Sequence, residues 1–120
     1  MRKHGEIWLA NLNPGKGTEP GKIRPVVILQ NQALLDAEHP STLVVPITTN
    51  LVEDAAPLRL RIKALGKLEK DSDLLVDQLR AIDNRRLIEG PLLLLDEITM
   101  SQLYAAVIEV MGMEESVRFR

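Results

Sequence analysis

Apolar runs in this chain are strand-length, and each ends in polar residues. Glu6–Leu12 leads into Asn13-Pro14, Arg24–Leu29 into Gln30-Asn31, Val44–Ile47 into Thr48-Thr49-Asn50, and Leu74–Val76 into Asp77-Gln78. Runs this short and this rich in branched residues fit buried strands rather than helices. Such a chain makes its core from strands and gathers the polar strand ends into a site.

The rest of the pattern sets an architecture. Residues 6–12 read as a first strand, 13–22 as a Gly/Pro loop, 24–30 as a fully apolar strand and 33–39 as a short helical or irregular excursion. Residues 42–47 read as another strand. Pro46 lacks an amide donor, which predicts an edge or a strand end. Alternation across residues 58–62 predicts a half-buried strand with Arg59 and Arg61 facing out. Ser72–Arg80 reads as one buried strand, Asn84-Arg85-Arg86 as a turn, and a short strand begins near Leu87. A helix is predicted from about Asp96, its N-cap, to Met111, with Glu97 in the first turn and Gly112 as the stop. Met100, Leu103, Tyr104, Val107, Ile108 and Met111 form one apolar face. Five or six short strands plus this helix predict a mainly β fold with some α. The expected form is a small antiparallel barrel with the C-terminal helix packed on it, one domain over residues 1–120. The tail Met113–Arg120, with Phe119 between two arginines, carries no pattern that assigns it a role.

Composition narrows the function classes. There is no cysteine, which excludes disulfides, thiolate metal sites and a cysteine nucleophile. No apolar leader and no membrane-length run is visible, so a cytoplasmic protein without membrane contact is expected. The net charge of −2 is not that of a general nucleic-acid coat, but basic residues gather at Lys16/Lys22/Arg24 and at Arg80/Arg85/Arg86. Aromatic content of 2% argues against a base-stacking platform.

The Gly15–Lys22 loop is not a nucleotide-binding P-loop: five residues separate Gly15 from Gly21, Ile23 follows Lys22, and a strand follows instead of a helix. It reads as a hairpin connection or a mobile lid whose Lys16 and Lys22 meet backbone phosphate. Arg24, held extended by Pro25, is a surface cation, an ion-pair partner or a site residue. Thr48 and Thr49 either bond turn backbone or face a ligand. Asp77, following Leu74-Leu75-Val76, is expected to be partly buried against Arg24 or Arg80, as a core ion pair or an active-site group. Arg80, Arg85 and Arg86 are a solvated turn or phosphate contacts. His4 and His39 read as two surface histidines, with no metal or catalytic pair expected.

Taken in order and at their spacings, these motifs resemble the MazF/PemK (Kid-like) toxins of bacterial type II toxin–antitoxin systems. The likeness runs from Gly5 to about Val110. It rests on Gly5-Glu-Ile-Trp8 with Asn13-Pro14, the Gly/Pro/Lys loop leading into Arg24-Pro25, Pro46-Ile-Thr48, and Asp77-Gln78-Leu-Arg80-Ala-Ile-Asp83 with Arg85-Arg86-Leu87. The resemblance implies an SH3-like barrel, a homodimer, an antitoxin partner, and a metal- and cofactor-independent endoribonuclease that cuts single-stranded RNA. It implies Arg24 and Thr48 as the catalytic pair, with Asp77 and Gln78 in support. The RNA contacts it implies are Lys16, Thr18, Lys22, Thr49, Arg80, Arg85 and Arg86. Leu75 stands where Kid-type members carry the arginine of an Arg–Asp pair, so Asp77 is the weaker catalyst. The competing expectations are a CcdB-like toxin that poisons gyrase by binding alone, and a fold-only adaptor whose charged turn binds protein.

Overall fold

A computed structural model describes residues 2–19 and 21–113; Phe119 and most of the tail lie outside the described residues. The strands are β1 (Glu6–Asn11), β2 (Ile23–Ile28), β3 (Ser41–Thr48), β4 (Arg59–Ile62), β5 (Ser72–Leu75), β6 (Arg80–Asp83) and β7 (Leu87–Leu94). Helix α1 (Gln32–Asp36) fills the predicted excursion, and α2 (Glu97–Val110) is the C-terminal helix. All described pairings are antiparallel, in the order β4-β5-β3-β2-β1-β7, with β6 also on β3.

β3 organises the sheet. One flank pairs with β2; on the other, Ser41–Val44 pair with β6 and Ile47–Thr48 with β5. This change of partner explains two departures from expectation. Pro46 lies neither at an edge nor at a strand end. It sits buried within β3, between the last residue paired to β6 and the first paired to β5, where a missing amide interrupts no ladder on that flank. The run Ser72–Arg80 is not one strand: a 3-10 turn at Val76–Gln78 splits it, so β5 and β6 can each pair with a different half of β3. Seven strands result rather than five or six. The sheet curls without closing, so an SH3-like barrel describes it only approximately.

Strand alternation divides the core into two. Ile7, Val27, Val45, Ile47 and Leu74 pack with Met100 and Leu103 of α2. Their neighbours Val26 and Val44 turn the other way, to Ala10, Leu12, Ile82 and Leu87, with Trp8 against them. β2 and β3 are therefore apolar on both faces, which is why they read as continuous apolar runs.

Asp96 caps α2, its carboxylate accepting the Thr99 N–H at 2.7 Å. The buried stripe is narrower than predicted. Met100 and Leu103 are buried and Val107 packs against them, but Tyr104 is 41% and Met111 59% exposed. Those two lie on the flank of a stripe that runs 100, 103, 107, 110. Tyr104 meets His4 instead. His4 Nδ1 donates to the Gln30 carbonyl at 2.9 Å, and its Nε2 bonds the Tyr104 hydroxyl. His4 is thus a half-buried link between the N-terminus and α2, while His39 is exposed, as a surface histidine should be.

The Gly5–Trp8 motif has a local cause. The buried Glu6 carboxylate accepts the Lys3 N–H at 2.7 Å and Trp8 Nε1–H at 3.1 Å. Trp8 then lies flat on Gly90 of β7, where an added Cβ would sit 2.4 Å from Trp8 Cδ2. Gly90→Ala is expected to lower stability by about 1–3 kcal/mol through overpacking. Thermal unfolding followed by circular dichroism checks it, and an unchanged melting temperature would contradict the packing described.

Candidate functional site

The β2–β3 ladder pairs Ile28 with Val44, Val27 with Val45 and Val26 with Pro46. Carried on by two residues, that register sets Arg24 across from Thr48. Both line one open cleft of about 590 Å³, together with Lys22 and Thr49. The far wall comes from the β4–β5 connection and carries Lys67, Glu69 and Lys70. Four cations and one carboxylate therefore surround two threonine hydroxyls, a composition suited to a polyanionic chain.

Arg24 is half-buried, and its Nε donates to the Gly21 carbonyl at 2.9 Å. Among the described residues no carboxylate pairs with it. One edge of the guanidinium is thus fixed by the loop, leaving the Nη groups to address a ligand. Thr48 Oγ1 accepts the Asn50 N–H at 3.1 Å. The hydroxyl does bond turn backbone, but as an acceptor, which leaves its O–H free to donate.

The loop above the cleft is built at its base. Asn13 Oδ1 accepts the Lys22 N–H at 2.6 Å, and Leu12 N–H donates to the Lys22 carbonyl at 2.8 Å. Gly15 and Gly21 pass so closely that a Cβ on either would lie 2.8 Å from the other's amide nitrogen. Lys16 and Thr18 are exposed on this loop and lie outside the lining of the cleft. Arg86 belongs to the same base: its Nη1 donates to the carbonyls of Asn11 at 3.0 Å and Asn13 at 2.8 Å. It braces the loop, whatever else it touches. Arg85 is exposed and forks onto Asp83, with both contacts at 3.0 Å. These residues line a second, shallower polar concavity with Asn11 and Asn13. Arg80 is half-buried on β6 and lines neither space.

Two expectations are corrected. Asp77 is not buried against Arg24 or Arg80; the 3-10 turn rotates it into solvent, and among the described residues it has no ion pair. Gln78, on the same turn, is half-buried, and neither residue lines the cleft. Arg59 and Arg61 do not simply face outward. They close over Asp73, which is 1% exposed: Arg59 Nη1 reaches its Oδ2 at 3.1 Å, and Arg61 Nε bonds its Oδ1. Asp73 directly precedes the apolar run Leu74–Val76. The signal was the Arg59/Arg61 alternation itself, since two arginines on one strand face need an acid on the neighbouring strand.

A model of the family described as "PemK-like, MazF-like toxin of type II toxin-antitoxin system" matches residues 3–111. The Endoribonuclease MazF of Staphylococcus saprophyticus is 40% identical over 90 residues, 74% of each chain. Crystalline MazF from Deinococcus radiodurans superposes with a TM-score of 0.77 at 20% identity, covering 93% of this chain and 97% of that one. A mycobacterial endoribonuclease solved in complex with its cognate antitoxin superposes with a TM-score of 0.73 at 16% identity, covering 95% and 98%. At such identities the structures speak for the fold.

The carboxylates make stability depend on pH. Burial pushes the Asp73 pKa up, but hydrogen bonds from Arg61, the Val52 N–H and Arg59 outweigh it, so the net shift is downward. The Arg85 side chain, aided by its own N–H, lowers Asp83 from 3.8 to about 2. A folded-state pKa below the unfolded one stabilises the fold above the unfolded value, and the gain is lost as pH falls through the folded one. The melting temperature is therefore expected to fall as pH drops from about 4 toward 2. Asp83→Asn should flatten the part of that fall due to Asp83; a melting temperature independent of pH there would contradict the pairing.

Proposed function

Since this chain belongs to the family of PemK-like, MazF-like toxins of type II toxin–antitoxin systems, we propose that it is an endoribonuclease cutting single-stranded RNA in the Arg24/Thr48 cleft. The observation that carries the reading is the meeting of an arginine with no carboxylate partner among the described residues and a threonine hydroxyl in one open, cation-lined groove. The curated staphylococcal relative bears the same activity in its name.

The chemistry suited to these groups is internal transesterification. The ribose 2′-oxygen attacks the adjacent phosphorus, the P–O5′ bond breaks, and the products are a 2′,3′-cyclic phosphate and a 5′-hydroxyl. The 2′-OH gives up its proton, and the departing 5′-oxygen takes one. The nucleophile resides in the substrate, so the reaction needs no metal or cofactor to generate it. The enzyme's work is to hold the 2′-oxygen in line and stabilise charge on the phosphoryl oxygens. Arg24 forks onto the non-bridging oxygens, and Thr48 donates its O–H to one of them. Asp77 lies outside the lining of the cleft, so the 2′-OH proton passes to water or to Glu69, the carboxylate that does line it. Lys22 and Thr49 hold flanking phosphates beside the pair, while Lys16 and Thr18 extend the path over the loop and Arg85 over the β6–β7 turn; Arg80, half-buried on β6, lines neither concavity. Asp77 and Gln78 lie outside the lining of the cleft.

The same reading makes residues 1–120 one cytoplasmic toxin domain that works as a homodimer and is restrained by a cognate antitoxin. No helix among the described residues is long and apolar enough to cross a membrane. Exposed Ile98 and Tyr104 on α2 and Met111 at its C-cap offer apolar surface for association. Sedimentation should find a dimer at micromolar concentration; a monomer alone would remove that element.

Arg24→Ala and Thr48→Ala are expected to fold normally and each lose ~10²–10³-fold in cleavage rate. Purified protein should cut a long RNA into discrete fragments in the presence of EDTA. Intact RNA would favour the CcdB-like binding reading, and full activity in both variants would refute the site.

A further inference from the structure

Asp73 is the most buried carboxylate described, yet it lies outside the lining of the cleft. Its contacts nonetheless lead to Thr48. In the β3–β5 ladder, Asp73 is the direct cross-strand partner of Thr48. Its Oδ2 accepts the Val52 N–H at 3.0 Å and Arg59 Nη1 at 3.1 Å. The same Nη1 donates to the Asn50 carbonyl at 2.8 Å, and the Asn50 N–H donates to Thr48 Oγ1. Arg61 bonds Asp73 Oδ1 and donates from Nη2 to the Val52 carbonyl at 3.3 Å. The segment that follows β3 is therefore gripped at both backbone groups of Asn50 and of Val52.

We propose that Asp73 and Arg59 are positioning residues that aim the Thr48 hydroxyl into the cleft. The inference rests on the reading that Thr48 acts in cleavage. The physical step is directional. A threonine hydroxyl has one hydrogen to give and can accept from the Asn50 amide only when that amide points at it. Arg59 holds the Asn50 carbonyl, on the peptide plane that follows the one carrying the Asn50 N–H, so residue 50 is pinned from both sides, and Asp73 holds Arg59. With the accepting side of the oxygen occupied, the O–H is turned toward the groove. Release of this grip frees the backbone dihedrals of residue 50, so the Asn50 N–H can swing off Thr48 and the hydroxyl lose its aim, while Arg24 and the basic groove still bind RNA.

The test compares wild type, Arg59→Ala, Arg59→Lys and Asp73→Asn on a short RNA containing a mapped cut site, well below the melting temperature. Arg59→Ala should lower kcat by roughly 10- to 100-fold with KM little changed. Amide hydrogen exchange at Asn50 should accelerate. Loss of melting temperature with kcat intact, or exchange at Asn50 as slow as in wild type, would overturn the proposal. If Asp73→Asn fails to fold, the two Arg59 variants decide it alone. A fully active Thr48→Ala would defeat the cleavage reading, and Asn50 exchange in Arg59→Ala would still show whether the relay of contacts exists.

Discussion

Antiparallel pairing of β2 with β3 is the interaction on which the rest depends, because it brings the Arg-Pro and Ile-Thr motifs, far apart in the chain, to facing strand ends. A slip of one residue would turn Val26, Val27, Val44 and Val45 to the wrong faces and break both halves of the core at once. The core thus locks the register, and the register locks the site. The meeting of Arg24 and Thr48 is a by-product of packing that tolerates no alternative pairing.

Around that pairing, polar groups divide into those that build and those that face a ligand. Glu6, Asp73, Asp83 and Arg86 each have bonds that satisfy them within the fold. Arg24 and Thr48 are half-committed: one side of each is anchored by a backbone group, and the other is left for the groove. Asp73 is 1% exposed but Arg59 and Arg61 are 22% and 32% exposed, so removing one partner costs less than the roughly 3–5 kcal/mol of a fully buried pair.

Much of this was legible in the chain. The apolar runs of β1, β2 and β3, the loop at residues 13–22 and the Asp96 cap stand where the pattern put them, and Arg24 and Thr48 line one cleft. What escaped was whatever depended on a non-local partner. Pro46 looked like an edge residue because nothing in its neighbourhood reveals that β3 changes partners there. Asp77 looked buried because the run before it is apolar, and the 3-10 turn that exposes it serves the pairing of β6. Arg59 and Arg61 looked solvated because Asp73 lies on another strand. Local periodicity reports which face a residue takes, not which strand lies beside it.

The account stands on RNA meeting Arg24 and Thr48 together. Titration with a single-stranded oligonucleotide that carries deoxyribose at the scissile position gives a bound, uncleaved complex, followed by nitrogen–proton correlation spectra. The Arg24 Nε–H and the Thr48 and Thr49 amides should shift together on binding. Shifts confined to Asn11, Asn13 and Arg85, with Arg24 unmoved, would place the substrate in the other concavity and contradict the account.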